Sequence, residues 1–362
     1  MTSSRQPGKR GPRATSRGGG DASVDLTRLL DIVAAFPRQT ICVLGDFVLD
    51  EFVSGEISRV SREAPVLILR HRRSDYYPGG AANAANNVAD LGARAVPVGA
   101  VGDDEGGRKL IEFFRAKRMP LDGISRVRGG VTNTKTRYLA GWTHTTEQQV
   151  LRVDRETSGV LPDTVERAIE RSARRAASRA DALLVSDYGF GAAAPSLVRK
   201  LSPKRMTLDS RYRLLDFRGA GITAATPNEA EIEAAYQTRV GTNLGVLDDL
   251  GARALKDVGL EALVVTRGKD GLALFERPTA GSAPRPPRHI PIHGSDTPVD
   301  VTGAGDTVIA VFTLALAAGA SYLEAAHLAN YAGGIVVMKP RTATVTRAEL
   351  ERVLRREATA ER

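Results

Sequence analysis

The sequence predicts an α/β fold: a mostly parallel central sheet flanked by helices, with a small second β-sheet attached. Two observations carry this expectation. Short apolar, β-branched runs alternate with longer helix-patterned segments, and such alternation builds a parallel sheet covered on both faces. Two stretches break the alternation by placing one strand-like run directly after another, which calls for a separate hairpin unit.

Taken in order, the ordered chain is expected to start near Val24. Residues 40–44 (TICVL) form a short apolar run ending at Gly45 and read as a buried first strand. Further buried strands are expected over 95–99, 182–186, 206–208, 221–224 and 262–266. Helices are expected over 82–91, 105–117, 163–179, 229–236 and 247–258. Residues 51–70 hold EFVSGEI and APVLILR, and residues 132–154 hold NTKTRYLAGW and QQVLRVD. These two hairpin-like insertions make up the second sheet, which can cover a site or pair with a second copy of the chain. Residues 280–288 (AGSAPRPPR) read as a Pro-rich surface loop.

With 42% apolar and 26% charged residues, the composition excludes a disordered or collagen-like chain. The longest apolar stretch, 308–320, is interrupted by Thr313 and falls short of the ~20 residues that span a bilayer. No membrane association is therefore expected. The basic N-terminus has no apolar segment after its charges, so the expected location is cytoplasmic. Cys42 is the single cysteine, which excludes an internal disulfide and a cysteine-based zinc site. Of the net charge of +9, five units come from Arg5, Lys9, Arg10, Arg13 and Arg17. The surrounding Gly, Ser and Pro make residues 1–23 an expected disordered tail. The remaining charge is too small for a nucleic-acid-binding fold, so any contact with nucleic acid would be through that tail alone.

Five loops carry candidate chemistry. DVTGAGD (300–306) opens an apolar helix. A helix start presents free N–H groups to an anion, and Gly303 and Gly305 let a phosphate approach the backbone. Asp306, beside that cradle, can take a proton from an attacking hydroxyl, although an acid there also caps a helix. PGGAAN (78–83) places Gly79, Gly80 and Asn83 where a polyhydroxylated ligand can lie on the backbone, or where an ordinary helix starts. Gly45 and Asp46, with Asp50 beyond, follow the first strand, where ligands of α/β sheets bind. Thr226–Pro227–Asn228 with Glu229 and Glu231 offers oxygen atoms to Mg²⁺ or complements a helix dipole. Thr266 and Gly268 mark a further strand end.

With these motifs together, the chain resembles the ribokinase-like carbohydrate kinases, the PfkB family, from about Arg38 to about Leu354. PGGAAN with Leu91–Gly92 and DVTGAGD match the two signatures of that family. GDFVLDEF (45–52), ISRVSREAPV (57–66), TKTRYL (134–139), QQVLRVD (148–154) and SDYGFG (186–191) are similar to the branch that phosphorylates heptose 7-phosphate. The resemblance implies a ribokinase-like kinase domain over 24–358, with a β-sheet lid from segments near 51–70 and 132–154. It implies Asp306 as catalytic base and Gly303, Ala304 and Gly305 as anion hole. Asn228, Glu229 and Glu231 match the motif that lies near ATP and holds magnesium through water, and Thr266, Gly268 and Asn330 border the nucleotide. Asp46, Asp50, Gly79, Gly80 and Asn83 match sugar positions. Arg59, Lys135 and Arg137, in the lid segments, can meet a phosphate on the substrate. The implied reaction uses ATP and Mg²⁺ to convert heptose 7-phosphate to the 1,7-bisphosphate. The alternatives are a kinase of another sugar or sugar phosphate, and a non-catalytic sugar-phosphate-binding protein on the same fold. A homodimer through the lid sheet is expected. Some relatives have a lysine where this chain has Phe190, and a Gly-Thr turn where it has Arg341–Thr342. No H-x-G-H motif of a following cytidylyltransferase-like domain occurs, so the expectation is the kinase alone.

Overall fold

The run TICVLG is apolar on both sides of the pleat, so it can be covered from both faces. In the computed structural model, which describes residues 24–142, 147–278, 285–295 and 297–360, it forms strand β1 (Thr40–Gly45) inside the main sheet. Before it lies α1 (Leu26–Ala35). After it come β2 (Phe47–Val60), β3 (Leu67–Gly80), α2 (Ala81–Asp90), β4 (Arg94–Gly102), α3 (Glu105–Ala116) and β5 (Ile124–Val127). The chain continues through β6 (Thr134–Gly141), β7 (Gln148–Arg155), α4 (Asp163–Ala177), β8 (Ala182–Asp187), α5 (Pro195–Val198), β9 (Met206–Ser210) and β10 (Ala224–Ala225). It ends with α6 (Glu229–Tyr236), α7 (Leu244–Ala254), β11 (Ala262–Thr266), β12 (Leu272–Glu276), β13 (Arg288–Ile290), α8 (Ala304–Ala317), α9 (Tyr322–Val336) and α10 (Arg347–Ala360).

Nine strands form the main sheet in the order β13-β12-β11-β10-β9-β8-β1-β4-β5. Pairing is parallel from β11 to β5 and antiparallel at β12 and β13. One face packs on α1, α2, α8, α9 and α10, through Leu29, Val88, Phe312 and Leu350 among others. The other packs on α4, α6 and α7, through Ile169, Ile232 and Leu250. Helix α8 is apolar all round because it is buried all round, from Asp306 to Leu316.

The second sheet has the order β3-β2-β6-β7. Each hairpin is antiparallel, and β2 joins β6 in parallel. The expected arms at 51–70 and 132–154 are therefore present, but the first reaches from Phe47 to Gly80. Its missed part, 71–80, is charged and contains Pro78, because this strand shows much of its surface to water. The strand expected at 221–224 shrinks to the two residues of β10. Gly219 and Gly221 at positive φ make the preceding chain a turn. Helix α1 was not expected. Asp25 caps it by accepting from the Thr27 amide, and it packs against α10. Among the described residues, no helix is long and apolar enough to cross a membrane. The basic tail, the last two residues and most of the Pro-rich loop lie outside the described residues.

Candidate active site

In a parallel sheet all strands end on the same edge, and the loops there converge. The loops after β1, β8, β9, β10 and β11 meet the start of α8 at that edge. Asp306, in the first turn of α8, is only 3% exposed. Asn83 Nδ2 donates to Asp306 Oδ2 at 2.8 Å, and the Tyr188 hydroxyl donates to Oδ1 at 3.0 Å. Burial nevertheless dominates and pushes the Asp306 carboxyl up to about 7, against the pull of those two donors. A carboxylate there is poised to accept a proton near neutrality.

Asn83 is itself fixed. Asn87 Nδ2 donates to the Asn83 carbonyl at 3.0 Å, and the Thr307 hydroxyl donates to Asn87 Oδ1 at 3.0 Å. This ladder ties α2 to α8. Gly303, the residue before α8, sits at φ 78°, and a Cβ there would lie 2.6 Å from Asn83 Nδ2. Only glycine allows both the left-handed turn and the close approach. Ala304 and Gly305 face a largely apolar cavity of about 400 Å³, also lined by Thr266, Gly268, Val308 and Asn330. Asn330 donates to the Pro291 carbonyl at 2.7 Å and so secures the cavity wall.

The second sheet closes the other side of Asp306. Asp50 on β2 is buried, and Arg137 on β6 donates to its Oδ1 at 2.6 Å. The Thr342 hydroxyl donates to Asp50 Oδ2 at 3.0 Å. Gly79 on β3 must lack a side chain, since a Cβ would lie 2.6 Å from Asp50 Oδ2, and Gly80 follows it into α2. Lys135 Nζ lies over the Tyr188 ring, 4.9 Å from its centroid. Burial, then the Arg211 charge, lowers the Lys135 pKa. Lys135 and Arg211 make no ion pair among the described residues.

A group of carboxylates stands beyond one wall of the cavity, where Asn228 bridges to the cavity-lining Thr266. Asn228 and Glu231 form a capping box at the start of α6, each side chain accepting from the other's amide. Burial holds the Glu231 carboxyl up at about 7. Asp209, at the end of β9, is raised well above its ordinary value by burial and by the charges of Glu231, Asp306 and Asp187. Glu229 pairs with Arg267 at 3.0 Å.

Two expectations need correction. Asp46 spends its carboxylate on backbone: it accepts from the amides of Tyr188, Phe190 and Ala192, each at 2.9 Å. It shapes the loop carrying Tyr188 instead of offering an oxygen to a sugar. Arg59 is exposed near the far end of β2. At ~3.3 Å per residue it stands roughly 30 Å along the strand from Asp50, too far to join this site. Arg137 is present but already paired. Tyr188, Asp209 and Arg211 were missed. Asp209 carried a readable signal, an acid at the carboxyl end of a buried strand.

Known proteins share this fold and much of this sequence. The model of the pfkB family carbohydrate kinases matches residues 39–349. The protein named Bifunctional protein HldE of Caulobacter vibrioides is 39% identical over 335 residues, which cover 89% of this chain and 65% of that one. The protein of the same name from Mesorhizobium japonicum is 37% identical, over 88% of this chain and 62% of its own. The chain thus spans under two thirds of the length of these relatives. Among solved structures, Arabidopsis thaliana ribokinase complexed with ribose and ATP matches with a TM-score of 0.64 at 20% identity, covering 87% of this chain and 98% of that one. Phosphofructokinase-2 from Escherichia coli in complex with substrates and products gives a TM-score of 0.69 at 18% identity, covering 90% and 99%. With the family model spanning most of the chain, the protein belongs to the pfkB family of carbohydrate kinases and is a sugar kinase that uses ATP.

Proposed function

We propose that this enzyme phosphorylates D-glycero-D-manno-heptose 7-phosphate on its anomeric oxygen, giving the 1,7-bisphosphate. The observation that carries the reading is Asp306: a buried carboxylate between a helix N-terminus that faces an apolar cavity and the basic residues Lys135 on β6 and Arg211 after β9, which make no ion pair among the described residues. ATP lies in the cavity beside Thr266, Gly268 and Asn330, with its γ-phosphoryl group toward the amides of Gly303 and Gly305; the Ala304 amide, expected to join them, already donates to the Val301 carbonyl at 3.2 Å. The sugar lies against Gly79, Gly80, Asn83 and Asp50. Its hydroxyl displaces one donor from Asp306, passes its proton to that carboxylate and attacks the γ-phosphorus in line, while the bond from that phosphorus to the β,γ-bridging oxygen breaks and ADP leaves. The second sheet acts as a lid that excludes water. Lys135 and Arg211 hold the distal phosphate of the substrate, and the Arg137 guanidinium, already committed, keeps Asp50 in place.

The donor set of Asp209, Glu231 and Asn228 fits Mg²⁺ held through water. All are oxygen ligands, and the raised carboxyl groups would gain from a nearby divalent charge. Bound there with ATP, the ion would neutralise phosphate charge. The choice of sugar is supported by the segments similar to heptose 7-phosphate kinases and by the HldE relatives. The exposed apolar residues of the second sheet, Val60, Leu67, Val150, Leu151 and Val153, support a homodimer through that sheet. An ATP-consumption screen across free sugars, hexose phosphates and heptose 7-phosphate tests the substrate. Highest kcat/KM on the heptose phosphate is expected. Preference for an unphosphorylated sugar would overturn the reading.

A further inference from the structure

The loop between α9 and α10 contains one feature the reaction above does not use. Arg341 sits at φ 64°, a left-handed conformation that costs a non-glycine residue. Its backbone is held there: its amide donates to Asp300 Oδ2 at 2.8 Å, while the Thr302 amide donates to Asp300 Oδ1 at 2.9 Å. One carboxylate therefore joins the Arg341 turn to the start of the glycine-rich loop.

The side chain then crosses to the second sheet. Arg341 Nη1 donates to Asp75 Oδ2 on the edge strand β3, and lies 3.4 Å from the Tyr77 hydroxyl. Its Nη2 is 3.8 Å from Glu147. The guanidinium also stands 5.7 Å from the centroid of Phe52 on β2, whose ring meets Tyr77 edge-on at 5.5 Å. It is 16% exposed and Asp75 30%, so the pair is partly screened from water. Next in sequence, Thr342 bonds Asp50 on β2. Two consecutive residues of one loop thus grip both strands of the first hairpin.

We infer that Arg341 is a positioning residue that latches the lid to the phosphate-binding loop, so that the sugar side of the site is preassembled before ligand arrives. The latch acts through Asp75 and Tyr77 on the edge strand, and Asp300 transmits the position of the lid to the residues before α8. A side chain in a strained turn persists when its surroundings over-determine it, and the contacts with Asp75, Tyr77 and Phe52 supply that. The role of the lid rests on the kinase reading above; the latch itself is a mechanical statement that needs no substrate.

The test uses hydrogen–deuterium exchange of the full chain without ligand, on wild type, Arg341→Gly, Asp75→Asn and the double variant. Glycine suits φ 64°, so Arg341→Gly removes the side chain without straining the turn. Exchange in residues 72–78 should accelerate at least about tenfold in each single variant and no further in the double, while β1 and β8 stay protected. Arg341→Lys should keep part of the protection. In turnover with heptose 7-phosphate as probe, KM for the sugar should rise about tenfold or more with kcat changed less than about threefold. Unchanged exchange at 72–78, additive effects in the double variant, or loss of protection throughout the main sheet would each overturn the latch. If heptose 7-phosphate is not turned over by wild type, the substrate reading fails while the exchange result still decides the latch.

Discussion

Single carboxylates at the site are tuned by burial. Asp306 pays for its place in the core with a carboxyl held up to about 7. Asp306→Asn should keep the bond from Asn83, and its amide can donate to the Tyr188 oxygen, so the site stays assembled. Turnover should fall at least ~10²-fold with little change in ATP affinity. The stability effect has a definite sign. Because the folded carboxyl binds its proton more tightly than the unfolded one, Asp306 costs the native state progressively more as pH rises from ~4 toward the value of about 7. Calorimetry without ligand should therefore show the melting temperature of Asp306→Asn gaining on wild type over that interval and levelling off above it. A constant difference across pH would contradict the burial argument. Glu231 gives a second check. Glu231→Gln should raise the Mg²⁺ concentration for half-maximal rate more than the sugar KM, since the ion senses the lost charge. An altered sugar KM at unchanged Mg²⁺ dependence would place Glu231 elsewhere.

At the scale of elements, the second sheet separates two basic residues two positions apart on β6. Arg137 is spent on Asp50, whereas Lys135 has no ion pair among the described residues. Lys135→Ala should weaken use of a sugar phosphate by ~1.5–3 kcal/mol, the worth of a bond to a charged group, or roughly 10- to 150-fold in kcat/KM. The same sugar without its phosphate should be nearly unaffected. Arg137→Ala should instead harm both substrates equally, because it frees a buried Asp50. Comparing kcat/KM on the two substrates reads both effects. The elements themselves were largely legible. Strands β1, β8 and β11 announce themselves by apolar runs, and α6 and α8 by their caps and composition. Strand β3 was half hidden, because a strand with one wet face carries Arg70, Arg72 and Arg73 among its apolar residues. Helix α1 was hidden because a short amphipathic segment beside a basic tail gives little local signal.

For the whole molecule, the sheet edge that gathers the loops was readable from the alternation of strands and helices, and the two glycine loops lie there together. What local spacing does not encode is which side chains pair across it. Thr342 reaches Asp50, Arg341 reaches Asp75 and Tyr188 reaches Asp306 over separations of 292, 266 and 118 residues. Such contacts decided that Asp46 holds a loop and that Arg137 is already committed. The proposed reaction is phosphoryl transfer from ATP to the anomeric oxygen of a heptose phosphate at Asp306. Phosphorus NMR of the full chain with Mg²⁺, ATP and D-glycero-D-manno-heptose 7-phosphate tests it most directly. A new anomeric phosphate resonance should grow in step with ADP in wild type and be almost absent with Asp306→Asn. ATP left intact, or converted to ADP with only inorganic phosphate appearing, would contradict the claim.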